Sequence, residues 1–444
     1  MTYVLVRSVA LMALLQFTDA TKWKTLDYLY KMMEQGTVVA GVHNKYSDKP
    51  ASFTNEVTVI AGKAPGLWSG DFLFDYNIQH RWAMVHEAKK QYEAGALVNI
   101  MWHACSPTAS EPCLWDKAVC NRDSVSTSQW NELITDGTPL NKVWKQRMDD
   151  IAKYLVFLRD EGVEVMFRPF HEMNHPSCFW WAGRKGANGS KRLYQITHDY
   201  LTNTKGLSNL IWSWNIQDFN SLATDVNEYN PGSQYWEVVS LDVYDGSRFT
   251  QAKYDIMKGV AGSKPMAIGE CDVLPKLSDL ASQPRWVFFM SWSELTTQMN
   301  SNEAIKTLYD GQKVITLNEM PGWKTTTAPG PKKSYRSFHG TYLSAWDDRT
   351  VKLQNAGQAW EEWTTVPAGN GKVLLRSFHG NYLSAWPDRR VELMAHAQAW
   401  EMWTVVQNTD GSVSFLSHHG TYLSAWPDRR VQLMQHNQAW EHWS

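Results

Sequence analysis

The chain has 444 residues, with 43 lysines and arginines against 45 aspartates and glutamates, and 24 tryptophans. That length holds two or three domains with real cores, and the near-neutral charge argues against nucleic acid or an anionic membrane as partner. So many tryptophans suggest flat surfaces for stacking, and the apolar faces of sugar rings are one ligand that uses them.

In chain order, the N-terminus reads MTYVLVRSVALMALLQFTDATK, with Arg7 ahead of an apolar run from Val9 to Leu15 and small residues around Ala20. This predicts a secretory signal peptide over residues 1–20. An N-terminal core helix is disfavoured because Arg7 sits inside its apolar stretch. No later run approaches the ~20 apolar residues needed to cross a bilayer, so a soluble, secreted, extracellular monomer is expected.

Eight apolar runs follow between residues 21 and 320: TVVAGVHN, GLWSGDF, LVNIMWH, VEVMFRPFHEM, LIWSWN, VVSLDVYD, PMAIGECD and VFFMSW. Helix-like stretches such as HRWAMVHEAKKQYEAG and VWKQRMDDIAKYLVFLRDEG lie between them, and Gly95 and Gly162 are natural stops. Eight strand–helix units over this length predict a parallel (β/α)8 barrel, an α/β fold whose active site lies at the carboxyl ends of the strands. Five cysteines, Cys105, Cys113, Cys120, Cys178 and Cys271, leave an odd thiol. Cys113 with Cys120 and Cys105 with Cys178 are possible pairs and Cys271 the candidate for the free one, although connectivity does not follow from sequence.

A Thr-, Pro-, Gly- and Lys-rich linker over 321–333 precedes an internal repeat over 334–444. HGTYLSAWDDRTVKL, HGNYLSAWPDRRVEL and HGTYLSAWPDRRVQL begin at His339, His379 and His419, 40 residues apart, and QAWEEW, QAWEMW and QAWEHW keep the same offset. Three copies suggest pseudo-threefold closure, an all-β trefoil. The Gly-aromatic pattern resembles fascin-like repeats, and Gln-x-Trp is shared with ricin-type lectin domains. Trp346, Trp386 and Trp426, each ahead of an Asp-Arg turn with Pro-Asp in the second and third copies, are candidate ligand platforms, giving a carbohydrate-binding unit. Trp360, Trp400 and Trp440 are assigned to packing. Actin bundling, the fascin-like alternative, suits a secreted chain poorly.

The stretch HEMNH, His171 to His175, has the letters of a zinc-protease motif. That motif needs a helix, where residues i and i+4 share a face. Here an apolar β-branched run precedes it, and Pro169 and Pro176 bracket it. In extended chain the two histidines would lie about 13 Å apart at ~3.3 Å per residue, too far for one zinc. No metal and no cofactor are expected. Glu172 instead ends the fourth strand and Glu270, in MAIGECD, ends the seventh. Two carboxylates across a barrel mouth are what a retaining glycosidase requires, one as proton donor and one as nucleophile.

FRPFHEMN followed by FWW, with IGE on a later strand, resembles glycoside hydrolase family 26, chiefly endo-β-1,4-mannanases, with β-1,3-xylanases and mixed-linkage β-glucanases as minor members. The resemblance implies a polysaccharide substrate, β-mannan first. It implies Glu172 as acid/base and Glu270 as nucleophile. His103, His171, Trp181, Tyr244 and Trp292 would contact the sugar or shape its subsite, with Arg168 supporting a carboxylate. The chain departs from the family pattern twice: HPSC intervenes where a glycine usually follows the motif, and Cys271-Asp272 follow the nucleophile. A non-catalytic lectin is the competing class, and it does not account for the presence of both carboxylates.

Overall fold

In the computed structural model the described residues are 21–323, 332–356, 358–368, 372–394 and 399–444. The expected signal peptide and most of the expected linker lie outside them. The chain divides into a unit ending at Trp323 and a second unit after it.

The eight apolar runs are eight parallel strands: β1 (Val38–His43), β2 (Leu67–Asp71), β3 (Leu97–Met101), β4 (Val165–Arg168), β5 (Leu210–Gln217), β6 (Val238–Val243), β7 (Met266–Cys271) and β8 (Trp286–Ser291). Each pairs with the next, and β8 pairs back onto β1 with Val39 opposite Phe288, so the sheet closes into a barrel. Apart from Gln217, at the end of β5, these strand residues are all buried. Burial on both faces is why the runs are continuously apolar rather than alternating.

The connecting helices follow the expected signals. Arg81–Ala94 ends at Gly95, whose φ of 105° only glycine adopts readily and whose N–H returns to Gln91 and Tyr92. Pro139–Asp160 starts on a proline, which has no N–H to leave unpaired. Its buried Trp144, Met148, Ile151, Leu155 and Leu158 form the inner stripe.

The disulfides join Cys105 to Cys113 and Cys120 to Cys178, and Cys271 is a buried free thiol. The alternative pairing fails for a local reason. The Cys113 N–H donates to the Phe74 carbonyl at 2.8 Å, holding Cys113 at the start of its loop. A short helical turn, Trp115–Val119, then carries Cys120 away towards the loop after β4.

In the second unit each copy contributes an antiparallel hairpin: Tyr342–Ala345 with Val351–Gln354, Tyr382–Ala385 with Val391–Met394, and Tyr422–Ala425 with Val431–Met434. The hairpins join in a ring. Leu393 N–H donates to the Arg349 carbonyl, Leu433 to Arg389 and Leu353 to Arg429, at 3.0, 3.1 and 3.0 Å. Those three arginines sit at φ 68–72°, which turns their carbonyls towards the neighbouring copy. The two ends meet where Arg336 and Ser444 exchange backbone hydrogen bonds of 2.9 Å.

The core holds Trp363, Trp403 and Trp443, fully buried, each donating its indole N–H to the carbonyl of Leu343, Leu383 or Leu423. The packing role therefore falls on the last tryptophan of each Gln-Ala-Trp-Glu-x-Trp segment. Trp360, Trp400 and Trp440 are only half-buried. The segment turns between the two tryptophans, at a 3-10 turn spanning Ala359–Glu361 in the first copy, and this sends them to opposite sides.

Replacing Trp403 by alanine is expected to destabilise the second unit by about 3–5 kcal/mol, the usual result for a buried tryptophan. Urea denaturation followed by tryptophan fluorescence, fitted for each unit, measures it.

Candidate active site

β4 ends at Arg168, and residues 171–174 form a turn, not a helix. Pro169 accounts for this, since it cannot sit inside a helix. The two histidines of HEMNH go separate ways. His171 is buried with its ring centroid 4.3 Å from that of His103 and 4.4 Å from that of Phe179. His175 turns its Nδ1 to the N–H groups of Ser177 and Cys178.

Glu172 is held at φ 49°, a left-handed conformation costly for any residue but glycine. Its N–H donates to Asn215 Oδ1 at 2.7 Å, and the Asn215 amide donates in turn to Asp242 Oδ1 at 2.7 Å and Ser240 Oγ at 2.9 Å. Asn215 on β5 thus ties the acid/base loop to β6.

Glu270 stands near the end of β7. Arg168 bridges it to β6: Nη1 donates to both oxygens of Asp242 at 3.1 and 3.0 Å, and Nη2 donates to Glu270 Oε1. The Tyr244 hydroxyl donates to Glu270 Oε2 at 2.7 Å. A Cβ at Gly269 would lie 2.6 Å from Asp242 Oδ1, so the close approach of β6 and β7 requires glycine there.

One oxygen from each of Glu172, Asp242 and Glu270 lies within 4.8 Å of the other two. An approach this close fits the roughly 5–5.5 Å carboxyl separation of a retaining pair better than the roughly 6.5–9.5 Å of an inverting one.

One guanidinium faces three buried acids, so the site must hold a proton. Burial, then the charges of Asp242 and Glu270, push Glu172 well above the ordinary carboxylate range. Burial also raises Asp242, but Asp242 accepts from Arg168 and Asn215. The Glu172 carboxyl accepts no hydrogen bond among the described residues, which makes it the acid best placed to carry the proton. Burial and Glu270 raise the Tyr244 phenol, keeping it a donor, and burial keeps the His171 ring neutral.

A pocket of about 290 Å³ is lined by Lys45, Phe74, Asp75, His103, Trp115 and Trp292 among others, and it reaches the acidic cluster only through His103, whose ring meets that of His171. His103 is fixed by Asp71, which accepts from its backbone N–H at 3.1 Å and pairs with its ring Nδ1. Burial favours the neutral acid at Asp71, but His103 and His43 outweigh it and hold the group below the ordinary range.

Of the expected residues, Arg168, His171, Glu172, Tyr244 and Glu270 come together, with His103 and part-exposed Trp292 at the pocket. Trp181 does not reach an open surface. It is 1 % exposed, stacked face to face on Phe179 at 4.6 Å, with its indole N–H on the His171 carbonyl. It braces the site from behind, and the open aromatic face belongs to Trp115, 42 % exposed. Sequence reading missed Asp71, Asn215, Asp242 and Trp115. For the first three a signal existed: Ser69 and Asp71, Ser213 and Asn215, and Ser240 and Asp242 alternate within otherwise apolar strands, the spacing of one strand face.

The model of the glycosyl hydrolase family 26 matches residues 16–319. The chain belongs to this family. A mannan endo-1,4-beta-mannosidase of Thermothelomyces thermophilus is 30% identical over 69% of this chain and 62% of its own length. A mannan endo-1,4-beta-mannosidase of Bacillus subtilis is 26% identical over 65% of this chain and 83% of its own length. Among solved structures, the family 26 protein GH26A of a Muricauda species superposes with TM-score 0.63 at 35% identity, covering 66% of this chain and 95% of that one. The beta-mannanase from a symbiotic protist of the termite Reticulitermes speratus, complexed with gluco-manno-oligosaccharide, gives TM-score 0.58 at 26% identity over 67% and 95%. The chain thus spans about 62% of the Thermothelomyces relative's length. Both departures from the family pattern have structural roles: Cys178 of HPSC is bonded to Cys120, and Asp272 is paired with Arg248 at 2.6 Å.

Neutralising the charge beside Glu172 should lower its proton affinity. In Asp242→Asn the alkaline limb of kcat/KM, where the proton donor is lost, is expected to move to lower pH. A pH–rate profile on a soluble oligosaccharide substrate reads this directly.

Proposed function

We propose that this chain is a secreted, retaining endo-β-1,4-mannosidase that cleaves internal bonds of mannan, glucomannan or galactomannan. The reading rests on one observation above all. Within reach of each other, one carboxyl, Glu172, accepts no hydrogen bond among the described residues and is raised by burial and its acidic neighbours, while the other, Glu270, is gripped by Arg168 and Tyr244. The names of the curated relatives supply the sugar.

In the proposed reaction Glu172 gives its proton to the leaving glycosidic oxygen as a Glu270 oxygen attacks the anomeric carbon, forming a glycosyl ester. Esterification removes the Glu270 charge that raised Glu172. The deprotonated Glu172 then takes a proton from water, which attacks the ester and restores Glu270. Product thus keeps the anomeric configuration of the substrate. His103, His171 and Trp292 line the space for the attacked sugar and its neighbour, with Tyr244 holding the nucleophile's second oxygen.

Two disulfides support export to an oxidising compartment. The hairpin ring and the meeting of its two ends support a β-trefoil for residues 334–444, carried as a polysaccharide-binding accessory behind the linker.

The test is product sizing and anomer analysis on a panel of polysaccharides. Oligosaccharides of retained configuration from β-mannan are expected, with Glu172→Ala lowering kcat by about 10²–10⁴-fold. A fluorinated slow substrate is expected to label Glu270 by mass spectrometry. Release only from β-1,3-xylan or mixed-linkage β-glucan would move the substrate and keep the chemistry. Binding without release would favour a lectin.

A further inference from the structure

The turn tryptophans of the second unit are not free platforms. Lys352 lies over the Trp346 ring at 4.6 Å, Arg390 over Trp386 at 4.8 Å and Arg430 over Trp426 at 5.3 Å. Their indole nitrogens are buried, without partners among the described residues. What each turn tryptophan does is carry a row of further rings.

Trp346 meets Trp360 edge-on at 5.3 Å, Trp360 meets His379 of the next copy at 5.3 Å, and His379 meets Phe378 at 5.4 Å. The same row recurs as Trp386, Trp400, His419 and His418, spaced 5.1, 5.4 and 5.4 Å. It recurs again as Trp426, Trp440, His339 and Phe338, spaced 5.3, 5.2 and 5.5 Å, which closes the circle.

Each row runs outward, from a capped, half-buried tryptophan to an exposed ring at the tip. Phe338 and Phe378 are 64 % and 54 % exposed, and His418 is exposed at the third tip. Packing does not require an aromatic ring at these tips. Beside the first row, Gln354 and Asn355 share a groove of about 440 Å³ with Trp346 and Trp360; Met394 and Met434 stand at the Gln354 position in the other two copies.

The copies also differ in how far they have diverged. HGNYLSAWPDRRV and HGTYLSAWPDRRV differ at one position, and QAWE is identical in all three copies. The intervening strands have drifted apart, TTVPAGNGKVLL against TVVQNTDGSVSF. The two tryptophans and the histidine of each row recur in all three copies, while the tip varies as Phe338, Phe378 and His418 and the first copy has Asp347 and Thr350 where the others have Pro and Arg.

We infer that the three inter-copy rows of rings are three equivalent binding sites for uncharged β-linked polysaccharide, the substrate polymer of the barrel. This rests on the mannanase reading for the identity of the polymer. Flat part-exposed rings suit a pyranose, which offers C–H bonds on its faces, and beside the first row the Gln354 and Asn355 amides suit the hydroxyls at its rim. A stable protein partner would need about 800 Å² of surface. Each row offers only two or three part-exposed rings, separated from the next row, and so matches a chain one sugar wide. Three sites on one unit hold an insoluble polymer through avidity.

The test uses the full chain carrying Glu172→Gln, so that bound polymer is not cut, sedimented with insoluble linear β-1,4-mannan. Retention is expected. Phe378→Ala should weaken it roughly 3–10-fold, and Phe338→Ala, Phe378→Ala and His418→Ala together by on the order of 100-fold through lost avidity. Phe378→Trp, which keeps a ring at an exposed tip, should bind as the parent does. Equal retention of the parent and the triple variant overturns the assignment, as does a parent that sediments with actin filaments and not with mannan. Because binding is read without turnover, its failure is separate from failure of the mannanase reading, which shows in product release by the wild-type chain.

Discussion

The acidic cluster of the first unit is organised around the buried guanidinium of Arg168. Arg168 is 1 % exposed and touches both Asp242 and Glu270, while a third acid, Glu172, lies within 4.8 Å of both. Buried charge is tolerated only when paired, and leaving one unpaired typically costs several kcal/mol. Three ionised acids against one guanidinium would leave an excess of two negative charges out of water. A proton on one acid lessens that excess, and Glu172, whose carboxyl accepts no hydrogen bond among the described residues, is raised by burial and by its two acidic neighbours.

The backbone is shaped to the same end. Glu172 occupies a conformation that costs of order 1–3 kcal/mol, and Asn215 holds it there. Gly269 lets β7 come close enough for Asp242 and Glu270 to share one arginine. Both features let the charged cluster assemble with few donors.

How much of this is legible in the sequence varies with the range of the interaction. Continuous burial marked all eight strands, and Pro169 was enough to remove the helix a zinc site needs. The position of Glu172 and Glu270 at strand ends followed from the fold. What depends on contacts between distant segments was not legible. The disulfide pairing turned on where the Trp115–Val119 turn points. Trp181 is a tryptophan at a cleft by sequence, but Phe179 covers its face. In the second unit the motif containing Trp360 and Trp363 shows two tryptophans, and the letters do not say which one enters the core. Asp71, Asn215 and Asp242 stand in alternating strand positions that were readable in principle, but apolar neighbours on both sides masked them.

The hairpin ring of the second unit has a consequence for how such a module can change. Every hairpin donates a backbone hydrogen bond to the copy before it and accepts one from the copy after, and every row of rings is built from two adjacent copies. A single copy therefore owns no complete row, and deleting one would open the circle and break two rows together. The module is indivisible: it can be gained, lost or transplanted only whole, and point substitutions at the tips are the one way to retune a single row without disturbing the other two.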